Sequence, residues 1–177
     1  MPPNLMHPSS LFDLLNFRVS EFYSVSGSLV TRLCEGEFGV TREEWGFIAM
    51  LAALGPLSPS DLSAWTSVDR SQGSRTLRGL SDKKLIIRRR VAGDGRRVKV
   101  ELTEAGRELY RQVFPQVVKI HQAMLATLDE TEIATLARCL RKMQEAATVV
   151  YGSTLVEAQA DRRNGGSRST WLKGRAP

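Results

Sequence analysis

Residues 85–102, LIIRRRVAGDGRRVKVEL, alternate between apolar and charged side chains as a β-hairpin does. Successive side chains of a strand point to opposite faces, so Val98 and Val100 can point inward while Arg97 and Lys99 point to water. The Ala-Gly-Asp-Gly centre supplies the positive-φ backbone that a hairpin tip needs. Five arginines and one lysine on this hairpin repel one another unless an anion lies beside them. The segment therefore predicts a cationic binding surface.

Two short helices are predicted directly before this hairpin. Ser58 and Asp69 each stand where an N-cap is expected, the first followed by proline and an acid, the second by glutamine three residues later. We expect one helix carrying Leu62 and Trp65, a turn of about three residues, and a second helix ending near Lys83. Helix, helix and hairpin in this order form a winged helix-turn-helix.

The positive charge of the chain is concentrated in this region. The whole chain has a formal net charge of +6, but residues 60–100 contain eleven Lys or Arg and four Asp or Glu, a local charge of +7. Charge confined to one segment is the electrostatic signature of a surface that binds nucleic acid or another anionic surface. A surplus spread along the chain would have indicated only solubility.

Longer helices with apolar stripes are predicted on both sides of the basic region. Such stripes exceed what a small winged core can cover, so we expect them to pair between two chains in a homodimer whose two-fold symmetry matches a palindromic DNA site. The fold class is mainly α with a small β-hairpin wing. The predicted divisions are an N-terminal arm (1–10), a dimerisation helix (11–36), a winged helix-turn-helix DNA-binding domain (37–102), C-terminal dimerisation helices (103–153) and a basic flexible tail (154–177).

Other classes of protein lack support in the sequence. It contains no phosphate-binding loop, no nucleophile elbow and no metal-ligand spacing, so we expect neither an enzyme nor a cofactor. Its two histidines, His7 and His121, are far apart. Apolar runs are shorter than the roughly 18 residues of a membrane span. The N-terminus lacks the basic segment followed by an apolar segment that is typical of a signal peptide. We therefore expect a cytoplasmic protein.

Several linked motifs resemble the core of the MarR family of transcriptional regulators. They are GPLSPSDL at the first turn, VDRSQGSRTLRGL as recognition helix, the D-x-R-R wing tip and LTEAGREL after the wing, and together they span about Val40 to Leu109. The resemblance implies a dimeric winged-helix repressor or activator of transcription. In this family a small aromatic or phenolic ligand commonly releases the protein from its operator.

The resemblance also implies which residues touch double-stranded DNA. The recognition helix would enter the major groove, where glutamine can pair with adenine and arginine with guanine. Arg96 would enter the narrow, negative minor groove, with Asp94 fixing the wing. Lys83 and Lys84 would add non-specific phosphate contacts. The predicted DNA-binding residues are Ser60, Arg70, Ser71, Gln72, Ser74, Arg75, Arg78, Asp94, Arg96 and Arg97.

Two positions depart from the family pattern. Gly73 replaces a larger residue inside the recognition helix, where glycine costs about 1 kcal/mol relative to alanine. It either allows close approach to DNA or loosens the helix. Lys84 replaces a glycine after that helix, so it must accept a left-handed backbone or shift the exit of the chain.

Ligand contacts and redox chemistry are predicted from fewer signals. Arg18 interrupts the apolar first helix and could bind a ligand carboxylate, pair with an acid such as Glu21, or lie exposed. The predicted pocket residues are Arg18, Phe22, Trp45 and Met50, and they suit an aromatic carboxylate or phenol. Two alternative functions remain open. One is an oxidant-sensing regulator using Cys34 or Cys139, and the other is a non-specific architectural DNA binder.

Overall fold

The computed structural model of the protein describes residues 4–66, 68–91 and 94–156. Within these ranges the chain is mainly helical with one β-hairpin, which confirms the predicted fold class. A short 3-10 turn at Leu11–Asp13 comes first. The elements that follow are α1 (Leu15–Glu37), α2 (Arg42–Leu54), α3 (Pro59–Thr66), α4 (Arg70–Asp82), β1 (Ile86–Val91), β2 (Asp94–Leu102), α5 (Glu104–Leu125) and α6 (Glu130–Tyr151).

The predicted helix caps are confirmed. The Thr41 hydroxyl accepts a hydrogen bond from the Glu44 amide at 3.1 Å, and the Glu44 carboxylate accepts one from the Thr41 amide at 2.8 Å. Asp129 forms the same reciprocal box at the start of α6, and Thr103 caps α5. These caps satisfy backbone donors that have no partner inside a helix, so they determine where each helix begins.

Helix α1 begins at Leu15 rather than at Leu11, where the apolar periodicity placed it. The carboxylate of Asp13 accepts hydrogen bonds from the backbone amides of Asn4 and Ser9, each at 3.0 Å. These bonds lower the pKa of Asp13 to about 2 and fold residues 4–13 into a compact turn. Leu14 is then extended, with φ −76° and ψ 126°, and the regular helix starts after it.

The wing is a twisted antiparallel pair of strands attached to the helix-turn-helix. Ile86 lies opposite Leu102 in register, and both side chains are buried. Val100 is fully buried and exchanges backbone hydrogen bonds with Leu57, so β2 lies between β1 and the segment that leads into α3. Arg97 and Lys99 are exposed, as the alternation predicted. The register shifts after Arg90, and β2 already begins at 94, inside the predicted tip.

One apolar core joins the C-terminal part of α1 with α2, α3, α4, the wing and α5. Helix α6 has no buried residue in the described chain, and much of α1 is exposed as well. None of the described helices has the combination of length and apolarity required to cross a membrane. Large apolar side chains left exposed include Leu11, Phe12, Val19, Phe22, Val25, Leu29, Leu136, Leu140, Met143, Val150 and Tyr151.

Candidate DNA-binding surface and ligand cavity

Helix α4 has one face in the core and one in solvent. Leu77 and Leu80 are buried, with 2% and 0% of their surface exposed, and anchor the helix against the rest of the winged core. Three- and four-residue spacing places a second set of side chains on the outer side. This reading face consists of Ser71, Ser74, Arg75 and Arg78, all exposed. The predicted contacts on α4 are therefore available to a partner.

The start of α4 is held by its N-cap. The carboxylate of Asp69 accepts hydrogen bonds from the amides of Ser71 and Gln72, at 2.7 and 2.8 Å. The bond from the Gln72 amide is the main reason that the pKa of Asp69 lies below its ordinary value. The half-buried Gln72 accepts a hydrogen bond from the Arg75 guanidinium at 3.0 Å. Gln72 and Arg75 are thus prearranged as a polar pair on the outer side.

Gly73 faces α3 rather than DNA, so the structure does not support the first of its two alternatives, close approach to DNA. It is buried in the crossing of α4 with α3, away from the reading face. A Cβ atom built at this position would lie 2.2 Å from the Ser63 hydroxyl oxygen and 3.3 Å from the Ser63 Cβ. The glycine therefore permits the close approach of the two helices of the helix-turn-helix.

The wing adds exposed cations beside the reading face. Arg88, Arg90 and Lys99 are exposed, and Arg89 pairs with Glu101 on the outer face of the hairpin. A groove of about 600 Å³ separates the wing from the start of α3. Its lining includes Ser60, Arg97 and Lys99.

Three of the predicted DNA contacts cannot be placed. The side chains of Arg70, Asp94 and Arg96 lie outside the described part of the chain, although their backbones belong to α4 and β2. Their roles in DNA binding remain predictions.

The two lysines after α4 behave differently from each other. The amine of Lys83 is turned inward, donating hydrogen bonds to the Gly39 carbonyl oxygen at 2.8 Å and to the Glu44 carboxylate at 2.5 Å. Lys84 has a φ of +58°, so it adopts the left-handed backbone, the first of the two alternatives stated for it. Its carbonyl oxygen accepts a hydrogen bond from the Thr103 hydroxyl at 2.8 Å, which ties the exit of α4 to the start of α5.

A second concave region lies between α1, α2, α3 and α5. We call it the α1–α2 cavity. It measures about 760 Å³, within the size range of small-molecule sites, which extends to about 1,000 Å³. Met50 and the largely buried Trp45 line it, as predicted. Trp45 also stacks on Tyr110, with ring centroids 5.7 Å apart. The other lining side chains relevant here are Tyr23, Arg42, Trp65, Val117 and Met124.

Arg18 and Phe22 do not line this cavity. Arg18 is exposed and pairs with the Glu21 carboxylate at 2.9 Å, one of the alternatives stated for it. The cation in the cavity is instead Arg42, whose guanidinium lies 4.1 Å from the centre of the Tyr23 ring. The signal that could have found it is the spacing on α2, because residues 42, 45, 46, 49 and 50 follow one face of a helix.

The two cysteines are in different environments. Cys34 is fully buried, and burial raises the pKa of its thiol to about 11, which disfavours the reactive thiolate. Cys139 is exposed on α6. In the described ranges, no three His, Cys, Asp or Glu side chains are grouped so that they could hold a metal ion.

The folded core, the two-faced α4 and the cationic wing define a winged-helix DNA-binding protein. Residues 38–97 match the model of the MarR family. The HTH-type transcriptional regulator FarR of Neisseria gonorrhoeae is 27% identical over 104 residues, covering 59% of this chain and 71% of the relative. Over residues 38–97, which form its winged helix, the chain is therefore similar to the MarR family of transcriptional regulators.

Solved structures agree with this fold. A MarR-family regulator from Silicibacter pomeroyi superimposes with a TM-score of 0.66 at 25% identity, covering 76% of this chain and 90% of that one. NadR, solved in complex with 4-hydroxyphenylacetate, gives a TM-score of 0.65 at 24% identity and covers 81% of this chain and 97% of that one.

Proposed function

We propose that the protein is a homodimeric, sequence-specific regulator of transcription, in the first instance a repressor, that binds a palindromic operator and is released by a small aromatic anion. The observation that carries the DNA-binding part is the reading face of α4 beside a cationic wing. In the proposed complex α4 lies in the major groove, and the wing follows the backbone with Arg96 in the minor groove.

The homodimer is supported by the unpartnered apolar surfaces of α1 and α6. Leu136, Leu140 and Met143 follow helical spacing on α6, and 42%, 49% and 37% of their surfaces are exposed. A stripe of this kind is characteristic of a helix that packs against another element. Pairing it with the exposed apolar residues of α1 in a second copy removes both surfaces from water, and the two-fold symmetry presents two copies of α4 to one operator.

The effector is proposed to bind in the α1–α2 cavity with its carboxylate on Arg42. This guanidinium is half-buried, and no carboxylate among the described residues forms an ion pair with it. The guanidinium lies over the face of the Tyr23 ring. Arginine presents a planar donor fork that suits a carboxylate. Trp45 and Met50 supply the apolar surface that an aromatic ring would cover, and the related NadR binds 4-hydroxyphenylacetate.

Release from DNA follows from what surrounds the cavity. Its walls come from α1, proposed to dimerise, and from α2 and α3 of the winged core. A ligand in contact with both parts can favour one arrangement of them over another, and it shifts the equilibrium only as far as its affinities for the two arrangements differ. If the favoured arrangement places the two copies of α4 at a distance that does not match the spacing of consecutive major grooves, the dimer binds its operator weakly.

Two arginine variants test DNA reading. Arg75→Ala removes an exposed arginine from the reading face, whereas Arg111→Ala removes one from α5, so both lower the net charge equally. We expect R75A to weaken binding to an operator by about 1–3 kcal/mol, or roughly 5- to 150-fold, and R111A to have little effect. Fluorescence anisotropy with a duplex selected by the wild-type protein from a random pool measures both. Equal losses would indicate that binding depends on net charge alone.

A second pair of variants tests the effector site. Arg42→Met removes the cation proposed to bind the carboxylate, and Arg18→Met removes one that is already paired with Glu21. Quenching of tryptophan fluorescence by 4-hydroxyphenylacetate and by its neutral amide gives the preference for the anion. We expect R42M to lose that preference and R18M to retain it. Loss of the preference in R18M alone would place the carboxylate at the originally predicted arginine.

A further inference from the structure

A buried carboxylate joins the recognition helix to the first turn of α2. Glu44 is only 4% exposed. One of its oxygens, Oε2, accepts hydrogen bonds from the Thr41 amide at 2.8 Å and from the Lys83 amine at 2.5 Å. A buried carboxylate is costly unless it is paired and hydrogen-bonded, and here both conditions are met. Glu44 therefore does more than cap α2.

Lys83 extends this contact to the turn between α1 and α2. It is the C-cap residue of α4, and its amine also donates a hydrogen bond to the Gly39 carbonyl oxygen at 2.8 Å. One lysine side chain thus connects the end of the recognition helix with both the α1–α2 turn and the start of α2. Such charge-assisted hydrogen bonds are short, directional and stronger than those between neutral groups.

The other oxygen of Glu44 lies against the backbone of α4. A Cβ atom built on Gly79 would be 2.5 Å from Glu44 Oε1. Gly79 stands one turn before Lys83, so the carboxylate meets α4 at two points along its length. Core packing by Leu77 and Leu80 is non-directional, whereas the hydrogen bond between Lys83 and the Glu44 carboxylate is directional.

We propose that Glu44 and Lys83 are positioning residues that set the orientation of the reading face for DNA. This inference rests on the proposed DNA-binding function. Neither residue touches DNA in this account. Lys83, which the sequence suggested as a phosphate contact, acts on affinity through the orientation of α4. The geometry predicts that loss of either partner lowers operator affinity while leaving non-specific binding unchanged.

Glu44→Gln distinguishes positioning from general electrostatics, because the two predict opposite signs. The substitution makes the protein one unit more positive, so simple attraction to DNA would tighten binding to every duplex. Glutamine also serves in a capping box, so the start of α2 is kept. If the ion pair orients α4, E44Q binds the selected duplex about tenfold more weakly, the change for one charged hydrogen bond of about 1.5 kcal/mol.

Lys83→Met and Lys83→Arg complete the set. K83M removes the ion pair, and K83R can still reach the carboxylate and should restore most of the affinity. Because the two partners act together, we expect the double variant E44Q/K83M to bind the selected duplex no more weakly than either single variant does. Circular dichroism at the assay temperature confirms that each variant is folded. Destabilisation alone would reduce the folded fraction and lower binding to selected and scrambled duplexes equally.

Each outcome of the anisotropy measurement supports or overturns the proposal. Selective, non-additive loss of binding to the selected duplex with an unchanged salt dependence supports it. Equal or tighter binding by E44Q overturns it. A K83M variant that loses affinity for both duplexes, with a salt slope smaller by about 0.9, shows a phosphate contact instead and also overturns it. Wild-type protein without preference for any duplex refutes the proposed function itself, and the positioning role with it.

Discussion

The junction between the wing and α5 depends on a glycine that has no room for a side chain. Gly106 lies in the first turn of α5, and a Cβ atom built on it would be 2.2 Å from the Leu85 carbonyl oxygen and 3.2 Å from Leu102 Cδ2. The Leu85 carbonyl accepts a hydrogen bond from the Thr103 amide at 3.0 Å. It is also backbone, held next to the left-handed Lys84, so it cannot rotate away as a flexible side chain would.

The change in the free energy of unfolding expected for Gly106→Ala is the balance of one favourable and two unfavourable contributions. Alanine in place of glycine within a helix gains about 1 kcal/mol of helix propensity. Overpacking against fixed atoms costs about 1–3 kcal/mol, and moving the Leu85 carbonyl weakens a hydrogen bond worth about 0.5–1.5 kcal/mol. The penalties exceed the gain, so we expect G106A to lower the free energy of unfolding by roughly 1–3 kcal/mol.

Gly36→Ala is the matched control. Gly36 is also helical, near the end of α1, but nothing lies within 4 Å of a Cβ built there. Only the propensity term remains, and we expect G36A to raise the free energy of unfolding by up to about 1 kcal/mol. Urea unfolding at one fixed protein concentration measures both, because oligomer stability depends on concentration. A G106A variant as stable as wild type would refute the packing argument.

Three further predictions concern single residues. Lys84→Gly should stabilise the protein by about 1 kcal/mol in urea unfolding, since glycine adopts the left-handed backbone without strain. Unchanged or lower stability would show that the backbone of Lys84 is not strained. A thiol reagent at neutral pH should label Cys139 well before Cys34, whose raised pKa keeps it protonated, and the reverse order by mass spectrometry would revive Cys34 as a sensor. Because the pKa of Asp69 is lowered on folding, its contribution to stability is complete above its ordinary value of 3.8 and is lost as the pH falls below it. Asp69→Asn retains a cap, so its stability should depend less on pH in this range, and parallel curves for D69N and wild type would refute the assignment.

Local signals in the sequence were sufficient for most of the fold. Thr41, Asp69, Thr103 and Asp129 each act on backbone groups within three residues, so their roles can be read without knowing what packs nearby. The alternation of the wing is equally local. The left-handed backbone of Lys84 could be stated as one of two alternatives, and the structure decides between them.

Contacts between distant residues could not be predicted. Lys83 meets Glu44 across 39 positions, and Arg42 lies over Tyr23, because of how α1, α2 and α4 cross. Sequence periodicity indicates which face of a helix is apolar but not which helix covers it. For the same reason helical proximity and chemistry predict Arg18 in the pocket, whereas the cavity contains a different arginine.

The central claim, that α4 reads DNA sequence, is tested most directly by comparing a selected duplex with a scrambled one across a salt series. We expect the wild-type protein to bind the selected duplex at least about 10³-fold more tightly at physiological salt, and this preference should persist as salt weakens both complexes. Equal affinities that fall together with increasing salt would contradict it, and would leave a cationic surface that binds DNA without reading it.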